Sequence, residues 1–367
     1  MRGAQPSGVR PRRATVKVLG LESSCDETAA AVVTEDGRVL SDVVHSQVSL
    51  HAEHGGVVPE LASRDHLRNV GPVVLEALDR AGLTLADIDA VAVTHRPGLV
   101  GALLVGVQVA KGLAWASEKP LVGVDHLMGH LLSIFLVRGD APREEPAPEY
   151  PFVALLVSGG HTALYRVDGP SPDRITELGA TRDDAAGEAF DKVGKVLGLG
   201  YPGGPLIDQL AKTGDPTAIP LSAPMARKTS LEFSFSGLKT QMAEWVRREG
   251  KPEGQRLADV CASFQSVVTN TLTKKLLHAA AVEGVPRVVI GGGVAANREL
   301  RERVKTMAAE RGIRAFVPEL RSCTDNAAMI AYVGALRRAD GHSDGWDLVA
   351  TSSTALPRST RKGRGLR

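Results

Sequence analysis

Residues 19–28, Leu-Gly-Leu-Glu-Ser-Ser-Cys-Asp-Glu-Thr, place a polar turn between two short apolar runs. The runs, Val16–Leu21 and Ala29–Thr34, are rich in Val, Leu and Ala and have the length of buried strands. The turn itself offers the hydroxyl groups of serine and threonine together with three carboxylates. The stretch therefore predicts a strand hairpin whose turn carries polar groups.

Two glycine-rich loops further along the chain have the same strand-to-loop chemistry. Residues 156–162 read Leu-Val-Ser-Gly-Gly-His-Thr, and residues 290–297 read Ile-Gly-Gly-Gly-Val-Ala-Ala-Asn before a predicted helix. Glycines let backbone N–H groups approach a phosphate, and the N-terminus of a helix favours an anion. Neither loop matches a Walker loop or a dinucleotide-binding fingerprint. Each loop alone is also consistent with a tight turn, but together with the hairpin they favour a nucleotide held between two lobes.

The remaining chain alternates apolar runs with helical stretches, which is typical of an α/β fold. Further strands are predicted at Ala90–Thr94, Val122–Val124, Phe152–Val157, Ala163–Val167 and Arg287–Ile290. Helices are predicted at Asp65–Ala81, Gly101–Ala116, Gly129–Leu136, Gly187–Leu197, Leu238–Arg248, Ala258–Glu283, Asn297–Arg311 and Asn326–Ala339.

The length of 367 residues, 43% of them hydrophobic, suits two domains or one two-lobed unit. A charged, proline-containing stretch at residues 138–150 predicts a semi-rigid linker. We therefore expect lobe I to contain residues 15–137 and about 325–357, and lobe II to contain residues 151–324.

Both ends of the chain are basic. Residues 1–17 carry five basic groups and no acid, and residues 358–367 carry five more, so only 34 of the 44 basic residues remain against 42 acidic ones. We interpret residues 1–14 and 358–367 as tails, which are either solubilising ends or electrostatic arms for RNA.

Several classes of protein are disfavoured. No segment reaches the roughly 18 apolar residues of a membrane span, and the N-terminus lacks the apolar region of a secretory signal. The three cysteines form no C-x-x-C pair, so neither a disulfide framework nor a zinc knuckle is expected. These observations favour a reducing, cytoplasmic location.

His126 and His130 are four residues apart near the start of a predicted helix, so both imidazoles lie on one face and can reach one ion. Asp325, in a polar loop before another helix, could complete a facial site or could instead cap that helix. Two histidines and one carboxylate suit Fe(II) or Zn(II). The alternative is a pair of surface histidines, and the absence of H-E-x-x-H disfavours a standard zinc protease.

Two other polar groups have open interpretations. The segment from His51 to His66 is interpreted as a substrate-facing loop and helix start, with Arg64 and His66 as candidates for phosphate contact. Asp184, Glu188 and Asp191 are expected on one helical stripe, which suits either ribose hydroxyls or a solvated acidic face.

In combination, these motifs are specific. The chain contains, in order, Glu22-Ser-Ser-Cys-Asp-Glu-Thr28, His51 to His66, Asp125-His-Leu-Met-Gly-His130, Val157-Ser-Gly-Gly-His-Thr162, Asp183 to Lys192, Tyr201-Pro-Gly-Gly-Pro205, Phe233-Ser-Phe-Ser-Gly-Leu-Lys239, Gly291 to Asn297 and Cys323-Thr-Asp-Asn326. Over about residues 16–340 it closely resembles the TsaD family of bacterial tRNA N6-adenosine threonylcarbamoyltransferases, formerly labelled O-sialoglycoprotein endopeptidases.

The resemblance implies a two-lobed α/β fold of the actin, Hsp70 and sugar-kinase (ASKHA) type with a nucleotide site between the lobes. It implies one Fe²⁺ per subunit, with Zn²⁺ as a substitute in purified protein, at His126, His130 and Asp325, which would act in catalysis through the metal. It also implies that the substrate contacts Leu156, Val157, Ser158, Gly159, Gly160, Asp191, Gly204, Asp208 and Asn297.

The resemblance implies transfer of a threonylcarbamoyl group from threonylcarbamoyl-AMP to N6 of the adenosine 3′ to the anticodon in tRNAs that read ANN codons. It implies four partners: tRNA, a TsaB-like paralogous pseudo-enzyme, a TsaE-like ATPase and a separate threonylcarbamoyl-AMP synthase. His51 and His161 are candidates for a general base. The alternatives are an ASKHA-type small-molecule kinase, a metalloprotease as the old label says, and a non-catalytic nucleotide-binding partner.

The chain departs from the family pattern at two positions. Arg96 stands where the family usually has glycine, and Asp125 stands where it usually has asparagine. We expect the first to alter substrate entry and the second to add a charge beside the metal.

Overall fold

The computed structural model describes residues 15–139, 146–222 and 230–359, and two sheets organise this part of the chain. The first sheet has the order β5-β4-β1-β2-β3-β6. Its strands are β1 (Lys17–Glu22), β2 (Glu27–Thr34), β3 (Arg38–Ser46), β4 (Ala90–Arg96), β5 (Leu121–Asp125) and β6 (Val137–Arg138). The predicted hairpin is formed by β1 and β2, which pair antiparallel, while β4 and β5 run parallel to β1.

The second sheet repeats this plan with the order β11-β10-β7-β8-β9. Its strands are β7 (Phe152–Val157), β8 (Thr162–Val167), β9 (Ile175–Ala180), β10 (Arg287–Gly291) and β11 (Arg314–Phe316). An antiparallel hairpin of β7 and β8 again lies beside a parallel strand, β10. Because β7 and β10 are parallel, the two glycine-rich loops that follow them leave the same edge of this sheet.

The helices connect and cover the sheets. They are α1 (Val48–Ala52), α2 (Pro59–Arg80), α3 (Val100–Ala116), α4 (His126–Leu132), α5 (Ala186–Leu197), α6 (Gly203–Ala211), α7 (Ser236–Glu249), α8 (Gly254–Glu283), α9 (Arg298–Ala309) and α10 (Ala327–Ala339). No helix of the described residues combines the length and apolarity needed to cross a bilayer.

One apolar core joins the two sheets. It contains Val18 and Ala92 from the first sheet, Leu156 and Val289 from the second, and the buried face of α10. Gly334 in α10 lies so close to Ala92 that a Cβ there would meet the alanine side chain. The core thus packs α10, from near the end of the chain, against the first strands.

The segment after α10, which we call the C-terminal strap (residues 342–359), runs along both sheets. The Thr351 amide donates to the carbonyl of His95 (3.0 Å) beside β4, and the Gly123 amide of β5 donates to Asp344 (2.7 Å). At its end, the amides of Glu177 in β9 and Ser359 each donate to the other segment at 2.8 Å. The strap therefore connects the outer part of the first sheet with the edge of the second.

The structure corrects some sequence expectations. Arg138, expected in the linker, belongs to β6 and pairs beside β3, and residues 140–145 of that linker lie outside the described residues. Arg358, expected in the C-terminal tail, lies 3.6 Å from Glu177. The expected N-terminal tail at 1–14 and residues 360–367 also lie outside the described part. The lobe boundaries stay a prediction.

Candidate metal centre and nucleotide cleft

The histidine pair lies where β5 passes directly into α4. The carboxylate of Asp125 caps the helix by accepting from the Leu127 amide at 3.0 Å. Since His126 and His130 are one helical turn apart, their rings share a face, with centroids 4.7 Å apart and planes at 88°. Both side chains are buried, so the alternative of two surface histidines is wrong.

Asp325 approaches this pair from the loop before α10. Its Oδ1 lies 2.9 Å from Nε2 of His130 and 3.7 Å from Nε2 of His126. The three candidate ligand atoms all lie within 4.8 Å of one another. The alternative role of Asp325 as a helix cap does not apply, because Asn326 caps α10 by accepting from the Met329 amide.

Glu22 is a part of this centre that the sequence did not assign. Its Oε2 lies 2.9 Å from Nδ1 of His126 and accepts from the Thr94 hydroxyl at 2.7 Å, and its side chain is fully buried. A carboxylate on Nδ1 holds a proton on that nitrogen, so Nε2 of His126, which faces Asp325, is the nitrogen that would ligate a metal once it is deprotonated. The signal available in the sequence was its place at the end of β1, in the polar turn.

The electrostatics of the centre follow from burial and from close opposite charges. Burial disfavours the charged form of His126, but Asp325 and Glu22 outweigh it and raise the pKa of His126 to about 9. Burial likewise works to raise the pKa of Asp325, but the two histidines hold it well below its ordinary value. Protons therefore occupy His126 at neutral pH unless a cation replaces them.

The residues fit a transition-metal ion. Two imidazoles and one carboxylate are the donors that Fe(II) and Zn(II) accept in facial sites, and Glu22 supplies the hydrogen-bonded carboxylate that usually supports a metal-binding histidine. In addition, Nδ1 of His130 is buried without a hydrogen-bond partner among the described residues.

Both glycine-rich loops lie against this centre. Gly292 has φ +89°, and a Cβ there would lie 2.5 Å from the carbonyl oxygen of Val157. A Cβ on Gly291 would lie 2.9 Å from the carbonyl oxygen of His130. The loop after β7 is closed by the Ser158 amide, which donates to the carbonyl of His161 at 2.8 Å.

His161, in this loop, is uncharged. Burial and then the positive charges of His126 and His130 lower the pKa of His161 to about 4. Next to it, Gly159 and Gly160 face open space, because a Cβ on either would meet nothing within 4 Å. Leu156 and Val157 are fully buried in β7, so within the predicted substrate segment the open positions are the glycines and not the apolar residues.

The acidic segment does not form the expected stripe. Asp184 precedes α5, and Lys192 contacts both Asp184 (2.6 Å) and Glu188 (3.0 Å). Asp191 instead accepts from the Gly203 amide (2.7 Å) at the start of α6, where Gly204 also lies. Burial raises the pKa of Asp191, although the backbone N–H groups of Gly203 and Gly204 partly offset that effect.

Asp183 has a structural role. Its carboxylate accepts from the Ser234 hydroxyl (2.5 Å), the Phe235 amide (2.8 Å) and both the amide and the hydroxyl of Ser236. These hydrogen bonds fasten the first turn of α7 to the segment before α5. We refer to them as the Asp183 clasp.

Asp208 and Asn297, both predicted from the resemblance, are joined by a residue that sequence reasoning missed. Gln265 in α8 donates to Asp208 at 3.1 Å and accepts from Nδ2 of Asn297 at 2.7 Å. Asn297 also caps α9 by accepting from the Leu300 amide. The signal in the sequence was a polar residue on the buried side of a helix with an apolar period.

His66 and His51 make structural hydrogen bonds. His66 is buried and its ring nitrogens lie 2.8 Å from the Thr28 hydroxyl and 3.0 Å from the Cys25 carbonyl, so its predicted contact with phosphate is wrong. His51 is buried with Gln47 at 3.1 Å on one ring nitrogen and the Val58 amide on the other. This leaves His161 as the better candidate for a general base.

Asp125 and Arg96, the two residues expected to depart from the resemblance, lie near the C-terminal strap. The second oxygen of Asp125 accepts from the Thr354 hydroxyl at 2.6 Å. The Arg96 guanidinium donates to His95, whose other ring nitrogen lies 3.0 Å from the Val349 carbonyl. Both side chains therefore have a role in holding the strap.

Comparison with known proteins shows the family of the chain. The family model TsaD, described as tRNA N6-adenosine threonylcarbamoyltransferase, matches residues 38–332. The chain belongs to the TsaD family. A protein named tRNA N6-adenosine threonylcarbamoyltransferase from Sorangium cellulosum is 64% identical over 96% of this chain and all of its own length. Its namesake from Anaeromyxobacter dehalogenans (strain 2CP-C) is 54% identical over 93% of this chain and 99% of its own. The family and the transferase activity expected from the motifs are confirmed.

Solved structures confirm the fold class. Full-length HypF matches with a TM-score of 0.55 at 11% identity, over 90% of this chain and 47% of HypF. Component A of (R)-2-hydroxyglutaryl-CoA dehydratase from Acidaminococcus fermentans matches with a TM-score of 0.52 at 13% identity, over 89% of this chain and all of that protein. At such identities the likeness concerns the ASKHA-type fold alone.

Proposed function

We propose that this TsaD-family chain transfers the threonylcarbamoyl group of threonylcarbamoyl-AMP to N6 of the adenosine 3′ to the anticodon in tRNAs that read ANN codons. The observation that carries the proposal is the meeting of the His126–His130–Asp325 ligand set with two glycine-rich loops at one place. A small-molecule kinase of the same fold class would leave this buried ligand set without a use.

The metal site is proposed at His126, His130 and Asp325, with one Fe²⁺ as the resident ion and Zn²⁺ as a substitute. A bound divalent ion supplies Lewis-acid polarisation and orientation of phosphoryl and carbonyl oxygens. Glu22 holds His126 in the ligating tautomer through the 2.9 Å contact at Nδ1. Because the pKa of His126 is raised to about 9, binding of the ion releases a proton at neutral pH.

The nucleotide part of the donor is proposed to lie along the two loops and the start of α6. Its contacts are proposed to be Leu156, Val157, Ser158, Gly159, Gly160, Asp191, Gly204, Asp208 and Asn297. The open space at Gly159 and Gly160 leaves their backbone N–H groups accessible to phosphate oxygens. Carboxylates such as Asp208 suit the hydroxyl groups of the ribose.

In the reaction, the N6 nitrogen forms a bond to the carbamoyl carbon, and the bond from that carbon to the phosphate oxygen breaks, which releases AMP. The N6 amine loses one proton, which passes to solvent. His161 is neutral because its pKa is about 4, so its ring nitrogen can accept a hydrogen bond from the amine. Most of the acceleration would come from positioning and charge stabilisation.

The partners are proposed as tRNA, a TsaB-like paralogue, a TsaE-like ATPase and a separate synthase that makes the donor, all in the cytoplasm. Exposed apolar side chains on α2 and α3, Leu67 (69% exposed), Leu75 (70%) and Leu104 (48%), support a protein partner on this face of the first sheet. The basic ends are proposed to add affinity for tRNA, and deleting residues 1–14 and 360–367 tests that role at low salt.

The deciding experiment is a transfer assay with the purified chain, its expected partners, synthetic threonylcarbamoyl-AMP and an unmodified ANN-decoding tRNA transcript. Nucleoside mass spectrometry would detect threonylcarbamoyladenosine, and metal analysis would be run on the same preparations. We expect His126→Ala to abolish both product and bound metal, while His278→Ala, at a partly exposed position in α8, leaves both unchanged. Absence of product with metal and partners present would favour the kinase alternative, and proteolysis without transfer would favour the old protease label.

A further inference from the structure

A buried amide, that of Gln265, connects two of the proposed nucleotide contacts, Asp208 and Asn297. Gln265 is 0% exposed and makes three hydrogen bonds to other elements. Its Nε2 donates to Asp208 of α6 and to Glu299 of α9, both at 3.1 Å, and its Oε1 accepts from Nδ2 of Asn297 at 2.7 Å. We call these four side chains the Gln265 network.

The two carboxylates fix which way this amide points. An ionised carboxylate only accepts hydrogen bonds, so Asp208 and Glu299 both require the NH₂ end of Gln265. Rotating the amide by half a turn would place its oxygen against two carboxylates and its NH₂ group against the NH₂ group of Asn297. The Gln265 oxygen therefore faces Asn297.

The orientation of the Gln265 amide also fixes the orientation of the Asn297 amide. Its NH₂ group must donate to Gln265, and its Oδ1 accepts from the Leu300 amide at 3.0 Å, which is consistent with that orientation. One N–H of Asn297 and the Oδ2 of Asp208 have no hydrogen-bond partner among the described residues. The pair offers one donor and one acceptor, which is the combination that binds the hydroxyl groups of a ribose.

Glu299 is held in place by residues that are not part of the Gln265 network. It accepts from the Thr269 hydroxyl at 3.1 Å and pairs with the guanidinium of Arg303. Thus Asp208 on α6, and Glu299 and Arg303 on α9, are the titratable and charged groups seen in contact with the network among the described residues. The amide of Gln265 is thus held by Asp208 from α6 and by Glu299 and Asn297 from the start of α9.

We propose that Gln265 is a positioning residue that sets the hydrogen-bonding polarity of the nucleotide site, with Asn297 as donor and Asp208 as acceptor toward the nucleoside. The inference rests on the proposed function, because it takes Asp208 and Asn297 to be nucleotide contacts. It goes beyond that proposal in assigning the orientation of both contacts to one buried amide outside the family motifs.

The test is Gln265→Glu, with AMP as the probe and its Kd measured by calorimetry between pH 5.5 and 9. When ionised, the new carboxyl group cannot donate and faces two carboxylates, and burial together with those charges raises its pKa. When protonated, it regains one donor and still accepts from Asn297. We therefore expect the ratio of variant to wild-type Kd to rise with pH, by at most tenfold per pH unit, and to exceed tenfold at the upper end.

Gln255→Glu is the matched control. Gln255 lies in the same helix and also donates to a carboxylate, that of Asp259 at 2.9 Å, but it is exposed and outside the network. Its Kd for AMP should follow that of the wild type at every pH. A reversible pH switch seen only at position 265 is a readout that simple loss of stability would not produce, provided tryptophan fluorescence reports a folded protein throughout.

A second measurement separates positioning from direct contact. If Gln265 acts only through Asn297 and Asp208, then adding Gln265→Met to the Asn297→Ala/Asp208→Ala double variant should leave its Kd for AMP unchanged. Binding by both Gln265 variants within twofold of the wild type at all pH values would overturn the inference. Failure of the wild type itself to bind AMP would overturn the proposed nucleotide site, and the inference with it.

Discussion

Replacing Gly292 with alanine should destabilise the protein through two separate effects that the structure shows at this residue. Its φ of +89° lies in the left-handed region, where a Cβ costs about 1–2 kcal/mol. The new Cβ would also lie 2.5 Å from the Val157 carbonyl oxygen and 2.8 Å from its carbon, which are backbone atoms of a central strand. Forcing extra volume into such a site typically costs about 1–3 kcal/mol.

We therefore expect Gly292→Ala to lower the free energy of unfolding by about 2–5 kcal/mol. The adjacent Gly293 provides the control, because a Cβ there meets nothing within 4 Å and its φ is not in the left-handed region. Gly293→Ala should change the free energy of unfolding by less than about 0.5 kcal/mol. Urea unfolding followed by tryptophan fluorescence measures both, and unchanged m-values would show that the same transition is compared.

Equal stability of the two variants would refute the reasoning, since it would mean that the loops after β7 and β10 are not in backbone contact. The same result would remove the geometric basis for placing both loops at one nucleotide site. A large loss of stability in both variants would also contradict the structure. It would mean that the second loop tolerates no side chain, although a Cβ on Gly293 meets open space.

Three further outcomes are expected. Glu22→Gln should weaken metal binding by about 10–100-fold, measured by competition with a chelator, because the carboxylate that contacts Nδ1 of His126 is lost. Glu35→Gln, at an exposed turn, should leave the metal affinity unchanged, and equal affinity in the two variants would contradict the role assigned to Glu22. Gly160→Ala should keep the wild-type stability but raise the Kd for AMP at least tenfold, since its Cβ projects into open space; binding within twofold of the wild type would show that AMP does not approach this loop. Asp183→Ala should cost about 1–2 kcal/mol, as for a lost helix cap, in urea unfolding at neutral pH. Although burial works to raise the pKa of Asp183, the hydrogen bonds of the Asp183 clasp hold it below its ordinary value, so this difference should shrink as the pH falls below about 4, and a constant difference would contradict the clasp.

The strands and helices that the sequence predicted are those whose signal is local. β1, β2 and β7 are continuous apolar runs, and α3 and α8 have long apolar periods. Four strands, β3, β6, β9 and β11, were not predicted. In β3 and β9 polar residues interrupt the apolar run, and β6 and β11 have only two and three residues. In β3, for example, the largely buried Asp42 pairs at 2.7 Å with Arg138, a residue far away in the chain.

Helix α6 escaped prediction for a similar reason. It begins with Gly203, Gly204 and a proline, residues that usually indicate a turn, and proline is tolerated only in the first helical turn. The Gly203 amide is held by Asp191 from the preceding helix, so the local sequence carries little sign of the helix. A tertiary contact, and not the local sequence, therefore holds the start of this helix.

The residues of the candidate site also differ in whether local sequence was enough to predict them. The spacing of His126 and His130 was enough to predict a shared helix face, whereas Asp325, far along the chain, was placed beside them by the resemblance. The buried contacts of Glu22 and Gln265 could not be predicted, because each depends on partners from several elements. A buried polar side chain in an apolar helix was the one signal for Gln265, and it does not say which groups it meets.

The C-terminal strap and α10 have a consequence for how the chain is made. The first sheet is formed almost entirely by early residues, yet its core is closed by α10, and its outer strands are held by the strap. A ribosome therefore releases Val18 and Ala92 long before the side chains that cover them exist. The first sheet therefore keeps an exposed apolar face until α10 has been synthesised. The second sheet, by contrast, can assemble β7 to β11 as a unit before synthesis ends. A chain shortened before α10 would keep that face open permanently, which makes premature termination a route to aggregation and to removal by chaperones and proteases.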